Sequence, residues 1–412
     1  MNPNLEHKSS FAAAVLLAGA VSAFSSSLSL VPTLDGDTSN EARAITADGR
    51  YVVGLSGSRG FLYPVGSASA INVLSSDNAQ ATIATGVGYR TSGGITELII
   101  AGLSSGYVTE WMTSDGGATF GPKRRNTAFT SNVMPSANAL GATTGLDTYY
   151  VTSWINGNGQ SVYLGQGSGP WVATMNYSSK GITSTDSSRM NSVSASGRAV
   201  GWRINGGIRK NYMLTWNGTA TPAAVYFKGL DGSEAGQAFA VSADGNTVFG
   251  QSPIVGDANN FGYKIVNPGA SQYINPLPLF GDEAGSTSLQ VPYGCTADGN
   301  FAVGMDYRGT ERAVLWDTSN TNPNLWTITD LTDLASAEGI LDGFSRLTRA
   351  YSVGQEPDGD LVIAGIGSWS PDGGVTPYTT RAFVMTVMIP EPTSLSLLVL
   401  GAAAVVASRR RK

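Results

Sequence analysis

The sequence predicts an all-β fold, a seven-bladed β-propeller whose blades are four-stranded antiparallel sheets. Three observations support this prediction: a turn-rich composition, a hairpin motif that repeats along the chain, and an apolar strand after each copy of that motif. Of the 412 residues, 52 are Gly and 18 are Pro, while only 13% are charged. Because an average soluble domain has roughly 25% charged residues, long solvent-facing helices are not expected.

The repeated motif is a strand, a tight turn and a second strand. An Asp-Gly or Ser-Gly pair fills the turn, because such pairs readily adopt the positive φ angles that a tight hairpin needs. The residues expected to shape these turns are Asp48, Gly49, Ser196, Gly197, Asp244, Gly245, Asp298, Gly299, Asp358 and Gly359. The copies span 42–54, 190–202, 238–250, 292–304 and 352–365, with a weaker copy at 85–102 and a diverged one at 137–154.

The spacing of the copies and the strands between them complete one blade. The turn glycines from Gly49 to Gly359 define six intervals of about 52 residues, close to the period of kelch-type blades. An apolar third strand such as 60–65 and a short fourth strand such as 71–74 follow the hairpin. Four antiparallel strands repeated about seven times indicate a β-propeller.

The two ends of the repeat region predict how the ring closes. The last repeat ends after its third strand at 381–387, whereas a surplus strand at 28–34 precedes the first hairpin. We expect the N-terminal strand to complete the last blade, which would close the ring and remove its exposed edges.

The N-terminus predicts a signal peptide over 1–23. A short segment with Lys8 precedes an apolar run at 11–21, and the small residues that follow fit cleavage after Ala23. The alternative is that 11–21 forms a buried helix. The only histidine is His7, so the processed chain would have none, which excludes Ser-His-Asp and Cys-His triads and His-ligated zinc.

The single cysteine, Cys295, has no partner for an intramolecular disulfide. It lies in a strand-like stretch, and a buried, inert thiol is the default interpretation. We therefore expect burial and strand pairing, rather than cross-links, to stabilise the propeller region, 24–388.

The C-terminal segment, 389–412, has three parts. Pro390, Glu391 and Pro392 precede an apolar stretch that is expected to form a single transmembrane helix at about 394–408. The chain ends in the basic residues Arg409, Arg410, Arg411 and Lys412. The apolar part of this segment has fourteen residues, fewer than the roughly 20 of an ordinary transmembrane helix. The basic end would stay in the cytoplasm.

This tail resembles the PEP-CTERM sorting signal of Gram-negative bacteria, although Ile389 and Thr393 stand where Val and Ser are more frequent. The resemblance implies export through the inner membrane, temporary anchoring by the C-terminal helix, and processing by an exosortase near the Pro-Glu-Pro motif. It also implies a final place at the cell surface or in an exopolysaccharide matrix. The alternative is an ordinary anchor that is never cleaved.

The hairpin copies resemble the HAF-type repeats of extracellular propellers, with the core Ala-x-x-Val-Ser-x-Asp-Gly-x-x-Val-Val-Gly. The match is best at 42–54 and 238–250 and covers 28–387 at decreasing quality. Residues 113–120 form an Asp-box-like turn, a pattern common in sialidase-like propellers, and 370–376 is a partial second copy. In all these motifs the Asp and Gly residues are expected to shape turns rather than to catalyse.

Catalytic, metal and nucleic-acid sites are not predicted. A sialidase-like enzyme needs an arginine cluster, a Tyr–Glu pair and an acid, but spacing singles out no such set. The arginines considered are Arg203, Arg209, Arg308, Arg312, Arg346 and Arg381. The acidic loop 35–41 lacks the central Gly and late Glu of an EF-hand calcium loop, and the basic triplet 123–125 is too short, in an acidic protein, to indicate nucleic-acid binding.

The charge balance points to the kind of partner. The formal net charge is −5, and removing 1–23 and the four terminal basic residues leaves −9, which disfavours anionic polymers. We expect a non-catalytic, cofactor-free binding or structural protein of the cell surface or biofilm matrix, with an exosortase, exopolysaccharide or other surface proteins as partners. The alternative is a polysaccharide-active propeller hydrolase or lyase. A cluster of Arg, Tyr and acidic residues at one end of the central channel would favour the enzyme, and a channel lined by Ser, Thr and Gly would favour binding.

Overall fold

The computed structural model of the chain is almost entirely β. It describes residues 26–92, 94–105, 107–121, 124–130, 150–153, 160–164, 173–176, 188–215, 223–254, 257–269, 271–280, 289–307 and 309–389. The predicted signal peptide, the sorting tail with its predicted helix, Arg308, Lys123 and most of the diverged repeat lie outside these ranges. Within them, no helix is both long enough and apolar enough to cross a membrane.

The described strands form seven consecutive antiparallel groups. After β1 (Ser27–Leu30), the first two groups are β2 (Asn40–Ile45), β3 (Tyr51–Ser56), β4 (Arg59–Pro64) and β5 (Ile71–Asn72), then β6 (Ile83–Ser92), β7 (Ile95–Ser104), β8 (Tyr107–Thr113) and β9 (Arg124–Thr130). The third and fourth are β10 (Tyr150–Ser153), β11 (Gln160–Leu164) and β12 (Ala173–Asn176), then β13 (Ser188–Val193), β14 (Arg198–Asn205), β15 (Ile208–Thr215) and β16 (Ala223–Tyr226).

The last three groups lie in the C-terminal half. They are β17 (Gln237–Val241), β18 (Thr247–Ile254), β19 (Asp257–Val266) and β20 (Tyr273–Pro276), then β21 (Leu289–Cys295), β22 (Phe301–Tyr307), β23 (Glu311–Asp317) and β24 (Thr327–Asp330), and finally β25 (Phe344–Gln355), β26 (Leu361–Trp369) and β27 (Thr379–Val387). A single parallel pairing, Asn260 with Leu289, joins the fifth group to the sixth.

The core lies between neighbouring groups. Val53 and Leu62 of the first group pack with Leu98 and Trp111 of the second, and all four side chains are buried. Equivalent buried clusters lie between the fourth and fifth, fifth and sixth, sixth and seventh, and seventh and first groups. Consecutive residues of the inner strands are buried, as in β22 and β26, so most sheets bury both faces against a neighbour.

The first strands of the groups lie side by side. β2 contacts β6 and β25, β21 contacts β17 and β25, and β13 contacts β10 and β17. The later strands of each group lie progressively farther from this set, since each sheet runs in chain order from its first strand. Side chains on the first strands are thus the ones that neighbouring groups can bring together.

The strand β1 does not belong to the first group. It pairs antiparallel with β27, from Ser27 opposite Thr386 to Leu30 opposite Phe383, and so forms the outer strand of the seventh group. It is shorter than the predicted 28–34, because Pro32 has no N–H to donate. The carbonyl oxygens of Val31 and Pro32 instead accept hydrogen bonds from the Asn40 side chain.

Two helical elements of the described residues were not predicted. The first is a single 3-10 turn, Pro323–Leu325, between β23 and β24. The helix α1 (Leu331–Ala337) follows β24 directly, and the Asp330 carboxylate caps it by accepting hydrogen bonds from the Thr332 and Asp333 N–H groups. Leu331 and Ala335, one turn apart, are buried in the core. An Asp followed three residues later by another acid is a helix-start pattern that the repeat-based reasoning passed over.

A buried carboxylate in β22 makes the stability of the fold depend on pH. Asp306 is fully buried, and burial raises its pKa to about 6, although a hydrogen bond from Gln290 and the charge of Arg312 oppose the rise. Because the folded state holds this proton more tightly, its stabilising contribution is complete below pH 3.8 and is lost as the pH rises through 6.

We therefore expect Asp306→Asn to raise the free energy of unfolding at pH 7.5 by about 1 kcal/mol, and to leave it nearly unchanged at pH 4. Urea unfolding at the two pH values measures the difference. Asp342→Asn, which removes an exposed carboxylate, is the control and should change neither value. An equal gain at both pH values would contradict the assignment to Asp306.

Candidate functional site

The predicted hairpin turns are built from local hydrogen bonds. The five turn glycines have φ between +69° at Gly299 and +96° at Gly359. A hydroxyl two residues before the turn Asp donates to its carboxylate, at 2.6 Å from Thr46 to Asp48, from Ser242 to Asp244 and from Thr296 to Asp298. In the Ser-Gly copy, the hydroxyls of Ser194 and Ser196 bond each other at 2.8 Å. These side chains hold turns together, and none of these bonds positions an acid for chemistry.

The two Asp-box-like turns share one bonding pattern. Asp372 accepts from the Thr376 N–H at 2.7 Å and the Thr376 hydroxyl at 2.6 Å, as Asp115 does from Thr119. The bonds from the Thr376 hydroxyl and N–H lower the pKa of Asp372 to about 2. The partial copy at 370–376 therefore closes the same turn as the full copy at 113–120, and its carboxylate stays ionised.

The acidic loop 35–41 is also tied into the structure. The Asp37 carboxylate accepts from the Ser56 hydroxyl at 2.8 Å and from the Arg59 guanidinium at 2.9 Å. A separate group of carboxylates, those of Glu356, Asp358 and Asp360, has oxygens within 4.8 Å of one another. The Ile389 N–H donates to Asp360 at 3.1 Å, which joins this turn to the start of the sorting segment.

A β-bulge interrupts the first strand of six of the groups. In β2 the pairing with β3 passes from Ala42 to Ala44 and leaves Arg43 as the extra residue. The same shift occurs in β6, β13, β17, β21 and β25. The extra residues are Arg43, Thr85, Asn191, Phe239, Tyr293 and Tyr351, and all six side chains are half-buried. A bulge takes its extra residue out of the regular alternation of side chains. Each of these six groups therefore presents a side chain at this position of its first strand, and β25 has two further bulges, at Ser345 and Thr348.

A glycine on the second strand makes each bulge possible. Gly54, Gly250 and Gly304 stand opposite the residue that precedes the bulge in their groups. A Cβ on Gly54 would overlap the carbonyl oxygen of Glu41 and lie 2.7 Å from the ring of Phe61. The glycine that ends each repeat is therefore required by a close backbone approach, not by a turn.

Four of the extra residues meet in an arc across consecutive groups. Phe239 and Tyr293 contact edge to face with ring centroids 5.9 Å apart, and Tyr293 and Tyr351 lie 5.0 Å apart. The Arg43 guanidinium lies 4.7 Å from the centre of the Tyr351 ring, a distance typical of a cation–π contact. We call these four residues, Arg43, Phe239, Tyr293 and Tyr351, the bulge cluster.

Two ion pairs flank the bulge cluster. Two nitrogens of Arg349 donate to the Glu311 carboxylate, Nε at 2.9 Å and Nη2. A third nitrogen, Nη1, donates to the Tyr351 hydroxyl at 3.3 Å. Arg43 pairs with Glu41 on its own strand. Each guanidinium thus faces one carboxylate, and the formal charges of the site cancel.

The phenol of Tyr293 is far from ionising at neutral pH. Burial raises its pKa to about 12, with a further rise from Tyr351 that Arg349 opposes. The Arg349 pKa is also raised, chiefly by its bond to Glu311. At neutral pH the cluster therefore offers the protonated phenol of Tyr293 and guanidinium groups that are paired with carboxylates.

On the turn side of the cluster lies a small cavity. Its volume is about 30 Å³, and its polar lining comes from Cys295, Thr296 and Ser352. A cavity of this size holds about one water molecule. Burial raises the pKa of the Cys295 thiol to about 12, so the thiol is protonated and a poor nucleophile.

The arginines considered for a sialidase-like site are not gathered in one place. Arg209 lies over the Trp202 ring at 4.5 Å, and Arg312 lies 3.8 Å from Asp330. Arg381 contacts Asn40 and the Trp369 ring in the seventh group. Arg203 contacts Tyr226 in the fourth group, and Arg346 lies on β25. The described members of the set thus occupy three different groups of strands.

Sequence reasoning missed Arg43, a member of the cluster, and Arg349, which lies beside it. A usable signal was present in the repeat itself. Arg43, Phe239 and Tyr293 each stand five residues before the turn Asp and between two small or cyclic residues. The residue five positions before the turn Asp, together with the glycine that ends the copy, therefore indicates the bulge.

Several solved structures are similar to this chain over most of its length. A TolB from Agrobacterium tumefaciens is 13% identical, with 89% of this chain and 100% of that chain covered and a TM-score of 0.39. The Dos1 propeller is 11% identical, with 87% and 95% covered and a TM-score of 0.44. A subtype N11 neuraminidase-like protein of A/flat-faced bat/Peru/033/2010 is 9% identical, with 88% and 91% covered and a TM-score of 0.40. Likeness at this level says nothing about activity.

The C-terminal segment gives a more specific match. No curated protein matches the chain. A family model described as the PEP-CTERM protein-sorting motif matches residues 389–412, the segment for which the sequence predicts this signal. The chain thus carries a C-terminal PEP-CTERM sorting motif, which implies export, processing by an exosortase and sorting to the cell surface.

Proposed function

We propose that the protein is an exported, closed seven-bladed propeller that binds a ligand at the cell surface or in the extracellular matrix without transforming it. The seven strand groups, the contacts between first strands, and the pairing of β1 with β27 support a closed ring. The signal peptide at 1–23 would direct export, and the tail would hold the protein in the inner membrane until an exosortase releases it.

The observation that carries the binding role is the bulge cluster. Its four residues come from four consecutive groups, and each is half-buried, so part of every side chain faces solvent at the place where the groups meet. Convergent aromatic rings with a few fixed polar groups are the usual make-up of a small-ligand site. Each of the four groups presents its residue through a bulge that faces a glycine on the next strand.

A polysaccharide-active enzyme is the second candidate, because Arg, Tyr and Glu residues do come together here. Two features count against it. A nucleophilic tyrosine needs help to ionise, whereas burial raises the pKa of Tyr293. A carboxylate-binding site needs available guanidinium groups, whereas Arg43 and Arg349 are each paired with a glutamate.

Exposure of the secreted protein to exopolysaccharide from the producing bacterium separates the two candidates. Co-sedimentation measures binding, and assays for new reducing ends and for unsaturated products measure cleavage. We expect binding without release of either product. Continuous product formation that stops in Tyr293→Phe would establish the enzyme instead, and absence of binding would contradict both candidates.

The sorting motif makes a separate prediction about the ends of the protein. Mass spectrometry of surface protein from the host should find an N-terminus at Phe24 and a C-terminus near Pro392. Replacing Pro390, Glu391 and Pro392 with alanine should leave a longer, membrane-retained chain, whereas Ile389→Val should be processed normally. Surface protein that still ends at Lys412 would contradict exosortase processing.

A further inference from the structure

We infer that the bulge cluster binds the end of a neutral saccharide chain, with the sugar in contact with Tyr293 and Tyr351. This inference rests on the proposed binding role and names its ligand class. The two rings lie 5.0 Å apart at an interplanar angle of 45°, so they form a bent aromatic surface rather than a flat stack. The C–H face of a sugar ring is apolar and fits such a surface. The phenol hydroxyls at the edge of the aromatic surface can form hydrogen bonds with the sugar hydroxyls.

The polar groups around the rings suit vicinal hydroxyls. The Arg349–Glu311 pair is held in a bidentate arrangement and has about a third of each side chain exposed. Planar guanidinium and carboxylate groups fixed in this way donate and accept pairs of hydrogen bonds without rearranging. Arg43 and Glu41 repeat the same combination on the other side of Tyr351.

Charge argues for a neutral rather than an acidic sugar. The two guanidinium groups are already matched by two carboxylates, so the site has no net charge to attract an anion. The whole chain has a formal net charge of −5, and its field opposes the approach of an anionic polymer. A uronic acid would also have to displace Glu311 or Glu41 from its partner.

The space beside the cluster argues for the end of a chain. On the turn side, the cavity next to the bulge residues of the first, fifth, sixth and seventh groups has room for about one water molecule. A sugar residue does not fit in this volume. The ligand would enter from the opposite side, and one or two terminal sugar residues would contact the cluster.

Titration of the intact secreted protein tests this inference. The probes are neutral gluco- and galacto-oligosaccharides of two to four residues and the matching oligoglucuronates, followed by calorimetry and by ligand-observed NMR. We expect at least one neutral probe to bind, at least tenfold more tightly than its acidic counterpart. Tyr351→Ala should weaken that binding by about tenfold or more, and Tyr351→Phe, which keeps the ring, should weaken it far less.

The control is Tyr273→Ala, which removes a 59% exposed tyrosine from the outer strand β20 and should leave binding unchanged. Thermal unfolding of each variant shows whether the fold persists. Equal binding by Tyr351→Ala and the unchanged protein, tighter binding of the acidic probes, or no binding of any probe would overturn the inference. If exopolysaccharide binding survives in Tyr351→Ala, the inference fails while the proposed function stands.

Discussion

Gly304→Ala is expected to lower the free energy of unfolding by about 3 kcal/mol or more. A Cβ at this position would overlap the carbonyl oxygen of Val291 and lie 2.9 Å from both the Pro292 Cα and the Trp316 ring. Two of these neighbours are backbone atoms and Trp316 is fully buried, so no flexible side chain can move aside. The bulge that presents Tyr293 would have to be rebuilt.

Urea unfolding, followed by tryptophan fluorescence, measures the change. Gly121→Ala is the matched control, because the nearest atom to its added Cβ is the Met112 oxygen at 3.8 Å and its φ is not positive. That variant should stay within about 0.5 kcal/mol of the unchanged protein. Similar losses for the two variants would mean that close approach at the bulge is not what requires Gly304.

Leu28→Asp is expected to destabilise the protein by about 3 kcal/mol or more, because truncating a buried leucine alone costs 2–5 kcal/mol. Leu28 lies opposite Met385 on β27 and packs in the core shared by the sixth and seventh groups, with Phe383 and Phe344. A carboxylate there loses the apolar contacts and would be buried without a partner. Displacing β1 would also leave β27 as an exposed edge, which favours aggregation.

The comparison variant is Ser29→Asp, one residue further along the same strand. Ser29 is exposed, so the same charge should change stability by no more than about 0.5 kcal/mol. Chemical unfolding and light scattering together measure stability and association. If both variants are equally stable and monodisperse, the N-terminal strand does not complete the last group in solution.

Much of the architecture could be predicted from the sequence, because a few neighbouring residues are enough to specify each turn. An Asp-Gly pair two residues after a hydroxyl specifies its own hairpin, as Asp48 and Asp244 do. The repeat spacing then predicts where the groups begin, although most of the diverged copy at 137–154 lies outside the described residues. The N-terminal strand was recognised from a count of strands, although Pro32 ends it earlier than predicted. The helix α1 was missed because its start is marked only by the capping residue Asp330 and one acidic residue in the first turn, Asp333.

The site was not accessible in the same way. A bulge adds one residue to a strand without changing the apolar character of its neighbours, so Arg43 appears as an ordinary outward residue of β2. The last copy is harder still, since Tyr351 stands seven residues before Asp358 instead of five. The contact of Glu311 with Arg349 joins two groups, and sequence spacing alone does not define the register between sheets.

The position of β27 has a mechanical consequence. This strand lies between β1 and β26 and is hydrogen-bonded along both edges, and the sorting segment begins only two residues after Val387. While the C-terminus is attached to a membrane or surface, any pull on the protein enters through β27. Such a load would act on two rows of backbone hydrogen bonds at once, one of them to the segment that follows the predicted signal-peptide cleavage site. Strand β1 would thus share any tension that is applied to β27.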